Sequence, residues 1–325
     1  MKRREFITLL GGAATWPVVA RAQRAAMPVI GFLSPGSPEA DPLRLSAVQR
    51  GLKEIGYVEG QNVEIEYRGA RSQYDHLLAL AVDLIGRQVS VIITVGSAAT
   101  LAAQAATDTI PIVFAMGADP VQFSVVSGLN RPGGNITGVY ALNYAVMGKR
   151  LELLHELVPT AGTIAVLTNP SSPFTEAETK ALDEAAGALG VELRVLNAAN
   201  ESEIDTAFAT LAKGQSVPLV VSSDVMFTNQ RVRLVVLAAR HAIPAIYSYR
   251  DFPVAGGLMS YGPDLADAYR QVGIYTGRIL KGSKPTDLPV QQSVKVELII
   301  NLNTAKALGI TFPLPLLGRA DQVIE

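Results

Sequence analysis

The sequence predicts an α/β protein of two lobes with one topology, each a parallel sheet with helices on both faces. Three observations predict it. From Pro28 onward, short β-branched runs alternate with helical periods, the pattern of strands joined by crossover helices. Four sequence anchors recur in the same order, at separations of 134, 128, 133 and 123 residues. That is too long for a solenoid repeat of ~20–50 residues. And 325 residues suffice for two cores, at ~100–150 residues each.

The elements follow in order. Val29–Ser34 is an apolar run and reads as a buried first strand. Residues 43–55 are helical, with Leu45, Val48, Leu52 and Ile55 on one face and Gly56 as C-cap. Residues 63–67 alternate like a strand, and 77–85 are helical. Strands are expected at 89–95, 111–115 and up to Tyr140, with a helix at 98–106. The second half repeats the set. Residues 30–38 resemble 164–173, and each stretch leads into a helix ending at a glycine, Gly56 or Gly190. Residues 91–95 resemble 219–223, 110–114 resemble 243–247, and 133–137 resemble 256–260. The expected division is 27–140 with about 262–295 for lobe 1, and 141–261 with about 300–325 for lobe 2.

Composition narrows the function classes. With 49% hydrophobic and 18% charged residues the chain is globular, not disordered. Its 28 basic and 29 acidic residues leave no electrostatic footprint for nucleic acid. Cysteine is absent, which removes disulfides, thiolate zinc sites, Cys nucleophiles and Fe–S clusters together. His76, His155 and His241 have no carboxylate or His at metal-ligand spacing, so no metal is expected; His241 reads as a helix C-terminal cap. No G-x-S-x-G, HExxH, Walker loop or GxGxxG is present, so neither a catalytic residue nor a cofactor is expected.

Residues 1–22 read as an export signal: basic Lys2, Arg3 and Arg4, a weakly apolar run, then Ala20-Arg21-Ala22 before Gln23. Arg3-Arg4 with Phe6 resembles a twin-arginine signal, although Lys2, Ile7 and Thr8 depart from it. Removal takes away four basic residues and one acidic residue, moving the net charge from −1 to −4. The run is too short to span a bilayer, and without cysteine there is no lipid anchor. A soluble periplasmic protein is expected.

In such folds ligands sit beyond the carboxyl ends of the strands. After the first strand these are Ser34, Pro35, Gly36 and Ser37; after the third, Gly96, Ser97 and Ala98. Ser97 reads as a helix N-cap whose free N–H groups suit a carboxylate. Met116, Gly117 and Asp119 follow the fourth strand. The second half contributes Asn169, Ser171, Ser172 and Asp224. Asp224 reads either as the partner of a ligand ammonium or as a cap for a helix near Phe227. Tyr140, Phe174, Tyr247 and Tyr249 read as cleft walls or as core. Facing lobes with sites at both strand edges imply hinge closure on a small polar ligand.

Several stretches together resemble the substrate-binding proteins of ABC transporters, tryptophan/tyrosine-type group. They are Ile110-Pro111 with Asp119-Pro120, residues 129–138, 256–262, 279–282 and 301–309. The resemblance implies a type I periplasmic-binding-protein architecture: two Rossmann-like lobes with parallel sheets, joined by three crossings. It implies ligand capture followed by docking to a membrane permease driven by an ATPase. The polar loops, with one anion site and one ammonium partner, fit an amino acid or related carboxylate, and a monomer is expected. The resemblance further implies ligand contacts from 35–37, 96–98 and 116–119, and an acid matching Asp224. Ala118 departs from the pattern, since members that bind aromatic amino acids often carry Thr there. Two other classes fit the residues: a periplasmic α/β hydrolase, disfavoured by the missing nucleophile motif, and a ligand-binding sensor.

Overall fold

The computed structural model describes residues 27–37, 42–141, 143–213 and 217–325. The expected export signal lies outside the described residues. Two sheets carry the fold. The first contains β1 (Val29–Ser34), β2 (Glu64–Gly69), β3 (Val91–Val95), β4 (Ile112–Met116), β5 (Ile136–Ala141) and a late strand, β11 (Gln291–Ser293). Their order is β11-β5-β4-β3-β1-β2, parallel throughout. The second contains β6 (Thr163–Thr168), β7 (Glu192–Asn197), β8 (Leu219–Val221), β9 (Ala245–Tyr247), β10 (Met259–Pro263), β12 (Val296–Asn301) and β13 (Gln322–Ile324). Their order is β13-β12-β10-β9-β8-β6-β7.

The duplication is visible in these orders. β5-β4-β3-β1-β2 and β10-β9-β8-β6-β7 are the same arrangement with each strand advanced by five. The anchors fall on matching strands: Ile30 and Ile164 on β1 and β6, Val91 and Leu219 on β3 and β8.

Each sheet is covered on both faces, because successive strand residues point to opposite sides. In the first sheet Val91, Ile93 and Val95 face α1 (Pro42–Glu54) and α10 (Leu265–Leu280). Ile92, Ile112 and Phe114 face α2 (Leu77–Gly86) and α3 (Gly96–Ala106). α1 and α10 cross closely: a Cβ on Gly273 would stand 2.2 Å from the Val48 carbonyl oxygen. In the second sheet α4 (Met147–Leu157) and α5 (Thr175–Leu189) cover Ile164, Val166 and Val220. α6 (Glu201–Leu211) and α8 (Arg231–Arg240) cover Ala165, Leu167 and Val221. His241 is the C-cap of α8, as the sequence suggested.

One expectation needs correcting. The second sheet is not wholly parallel, because β12 runs antiparallel to β10. The reason is the route of the chain. After β10 it leaves for the first sheet, where α10 and then β11 bring it back to the end facing the second sheet. β12 therefore starts where its parallel neighbours finish. The chain passes between the sheets at 141–147, 263–265 and 293–296. Among the described residues no helix is long and apolar enough to cross a membrane.

Candidate ligand-binding cleft

β1 lies between β2 and β3, so the chain leaves it in one direction and returns on its other side. Such a reversal opens a crevice at the strand ends. There the first sheet presents Pro35 after β1, Gly96–98 at the start of α3, and Met116 and Gly117 after β4. The second sheet presents Ser172, Phe174, Ser223, Asp224 and Tyr249 across the same space. Together they enclose a cavity with about 60 Å³ open to the centre of a water-sized sphere.

Among the described residues two charged side chains line it, one from each side: Arg44 and Asp224. Arg44 is in the first turn of α1 and only 6% exposed. A buried cation at a helix N-terminus opposes both solvation and the helix dipole. Its guanidinium lies 5.5 Å from the centre of the Tyr269 ring, on α10.

Asp224 is 8% exposed. Its Oδ1 accepts from the Met226 N–H at 2.8 Å, from Tyr74 Oη at 2.7 Å and from Asn169 Nδ2 at 3.2 Å. The first of these bonds caps α7 (Val225–Asn229). The Tyr74 bond reaches across the cleft from the other lobe. Burial pushes the Asp224 carboxyl up, and the bonds from Tyr74, Asn169 and Met226 oppose this. With all three donors on Oδ1, the second oxygen is the one left for the cavity. Asp224 thus both caps a helix and faces the cleft.

Behind this wall lies Arg150, on α4 and fully buried. It donates to the Tyr261 carbonyl at 2.6 Å, to Ser223 Oγ at 2.8 Å and to Asn143 Oδ1. Burial brings its guanidinium down to about 10, still charged at neutral pH. Asn143 in turn donates to Tyr249 Oη at 2.6 Å. The crossing at 141–147 is thereby fastened to the second sheet's strand ends.

The remaining expected residues divide. Pro35, Gly96, Ser97, Ala98, Met116, Gly117, Ser172, Asp224 and Tyr249 line the cavity, and Asn169 supports Asp224 from behind. Ser97 is not the N-cap: α3 begins at Gly96, whose φ of +79° makes the turn out of β3, and Val95 holds the cap position. Ser34 Oγ accepts from the Gly36 N–H at 3.1 Å and, with Ser37, borders a small pocket beside Arg44. Gly36 packs against Asn229 at an outer groove, and Ser171 borders a neighbouring one.

Asp119 caps its own loop, accepting from the Val121 and Gln122 N–H groups. With Tyr140 it lines a second cavity, not the first. Tyr247 is not in the cleft. It points into the core of the second sheet, fully buried and stacked on Phe252 at 4.4 Å, because alternation along β9 sends it to that face. Sequence reasoning missed Arg44, Tyr74, Asn143, Tyr144 and Tyr269. Only Arg44 carried a signal, as an unfavourable charge in a helix's first turn.

Residues 35–324 match the family model described as ABC transporter substrate binding protein. The chain belongs to that family. This substrate-binding protein is 28% identical over 261 residues to a tyrosine-binding protein of Clostridioides difficile, across 80% of this chain and 75% of that one. A Vibrio cholerae conserved domain protein of known structure is 27% identical, with a TM-score of 0.82 over 91% of this chain and 99% of that one. A Streptococcus pneumoniae ABC domain solved with L-Trp is 26% identical, with a TM-score of 0.80 over the same shares. The substrate-binding protein has the type I periplasmic-binding-protein fold, in agreement with the resemblance read from its motifs.

Proposed function

We propose that this substrate-binding protein captures an α-amino acid, or a closely related carboxylate, and presents it to the permease and ATPase of an ABC importer. The observation that carries this reading is the pairing of Arg44 and Asp224 on opposite walls of one small cavity. A ligand carboxylate placed at Arg44 and the first turn of α3 meets a cation and helix N–H groups. Its ammonium placed at Asp224 Oδ2 meets the oxygen that no donor among the described residues occupies. The relatives named for tyrosine and solved with L-Trp support the same class.

Residues 27–140 with 262–295, and 141–261 with 300–325, act as the two bodies of a hinge. Closure brings Tyr74 onto Asp224, so that capture and closure coincide. The protein works as a soluble monomer in the periplasm, after removal of residues 1–22.

Thermal-shift screening of the purified protein against amino acids, small carboxylates and neutral sugars tests the reading. A ligand at 100 times its Kd stabilises by ~2.7 kcal/mol, which is readily measured. A shift with at least one amino acid or carboxylate is expected. Shifts with sugars alone overturn it.

A further inference from the structure

A second cavity adjoins the first. It measures about 410 Å³ on the same basis, is also bounded by both sheets, and shares Gly117, Ala141, Tyr144 and Phe174 with its neighbour. Gly117 and Ala141 offer almost no side chain, so the partition between the cavities is aromatic. Tyr144 stacks on Phe174 at 5.8 Å and 20° between planes. Phe123, from the first sheet's side, meets Phe174 edge-on at 4.7 Å.

One face of α5 forms the far wall. Its N-cap Phe174 is followed at helical spacing by Ala177, Glu178 and Ala181. The two alanines lie at the solvent edge and leave the space open. Glu178 is 5% exposed, its carboxyl bonded by the Tyr144 hydroxyl, and among the described residues no basic side chain lines the cavity.

The first cavity has far less open space than the second, about 60 against 410 Å³ on the same basis, and takes an amino-acid head group. A longer side chain extends toward the larger space, and among the described residues the bulky side chains shared by both cavities are two rings, which turn about their own χ angles. We propose that the second cavity is the compartment for the ligand's side chain, reached by rotation of Tyr144 and Phe174, and that Glu178 selects side chains ending in a hydrogen-bond donor. This rests on the head-group reading given above.

The chemistry follows from the walls. Phe123, Tyr140, Phe174 and Met147 suit an apolar body. Glu178 accepts a hydrogen bond whether ionised or neutral. A phenol, indole N–H, amide or ammonium at the side-chain tip satisfies it. A pure hydrocarbon strips its water and gives nothing back, and sites of this kind reject the analogue that lacks the donor.

Matched pairs test this by calorimetry: L-tyrosine against L-phenylalanine, L-lysine against L-norleucine, and L-alanine as a head group alone. In at least one pair the donor-bearing member is expected to bind about tenfold or more tightly. Glu178→Met should bring that ratio to within about threefold. Ala177→Phe, at an exposed helix position where folding is little affected, should block the mouth and weaken the preferred amino acid at least tenfold; an unchanged melting temperature confirms the fold. Binding of L-alanine with neither member of either pair overturns the compartment and leaves the head-group site standing. So does equal binding within both pairs, or indifference to Ala177→Phe. Binding of no amino acid at all overturns the head-group reading, and the compartment with it.

Discussion

Glu178→Gln should make the protein more stable in alkali and leave it nearly unchanged in acid. The carboxyl is pushed up from 4.5 to about 8, chiefly by burial and then by Asp224, with Arg150 and the Tyr144 hydroxyl opposing. A folded-state pKa above the unfolded value means that the fold holds the proton more tightly. The associated stability is fully present below about pH 4.5 and is lost as pH rises through about 8. At about 1.4 kcal/mol per tenfold, the whole difference is on the order of 5 kcal/mol. Entry of water and local relaxation reduce this to roughly 2–4 kcal/mol in practice. Gln fills the same space and never ionises, so it escapes the loss. With ~2 °C per kcal/mol for a chain of this size, the variant should melt roughly 4–8 °C above the wild type at pH 9 and within about 1 °C of it at pH 4.5. Scanning calorimetry at half-unit pH steps gives both curves. Parallel curves from pH 4.5 to 9 refute the reasoning, because they mean that Glu178 ionises in the fold as it does in water.

Asp224→Asn keeps the α7 cap but removes the charge offered to a ligand ammonium. Affinity should fall about ten- to hundredfold, the equivalent of 1.5–3 kcal/mol, read by calorimetry with an amino acid that binds. Tyr74→Phe removes the cross-cleft bond at Asp224, so ligand-saturated protein should scatter X-rays as a more open particle than the wild type; superimposable profiles would contradict the latch. Gly273→Ala gains ~1 kcal/mol of helix propensity. It also drives a Cβ to 2.2 Å from the Val48 carbonyl, for a net loss of about 1–3 kcal/mol in denaturant unfolding.

The succession of strands and helices, and its repetition, was legible because it is written in strong local signals. The apolar runs at β1 and β6 and the Ile-Pro pairs before β4 and β9 mark the same points in both halves. The reversal of β12 was not legible, since direction depends on where α10 and β11 take the chain. At the site, Pro35, Gly96, Gly117 and Asp224 were found because topology brings residues after strands to the cleft, while Gly36, Ser37, Asp119 and Ser171 turn to neighbouring pockets. Tyr247 failed that rule because it belongs to its strand, and alternation turned it inward. Arg44, Tyr74 and Tyr269 reach the cavity from elements that no strand end announces, and Asn143 and Tyr144 lie on a crossing between sheets. The start of α3 was displaced by two residues, because Gly96 makes its turn with a backbone angle that no pattern of polarity records.

The route that reverses β12 also sets the order in which the molecule can be completed. Val48, Leu52, Ile93 and Val113 are buried beneath α10, which is synthesised only after β6 to β10 have been made. At ~5–20 residues per second, the interval between the end of β5 and the start of α10 is on the order of 10 s. Throughout it one face of the first sheet has strands but no full cover, while the second sheet's central strands are already available. The α10 face of the first sheet is thus sealed only after most of the second sheet has been made. For those seconds the nascent chain offers its apolar face to whatever binds unfolded protein.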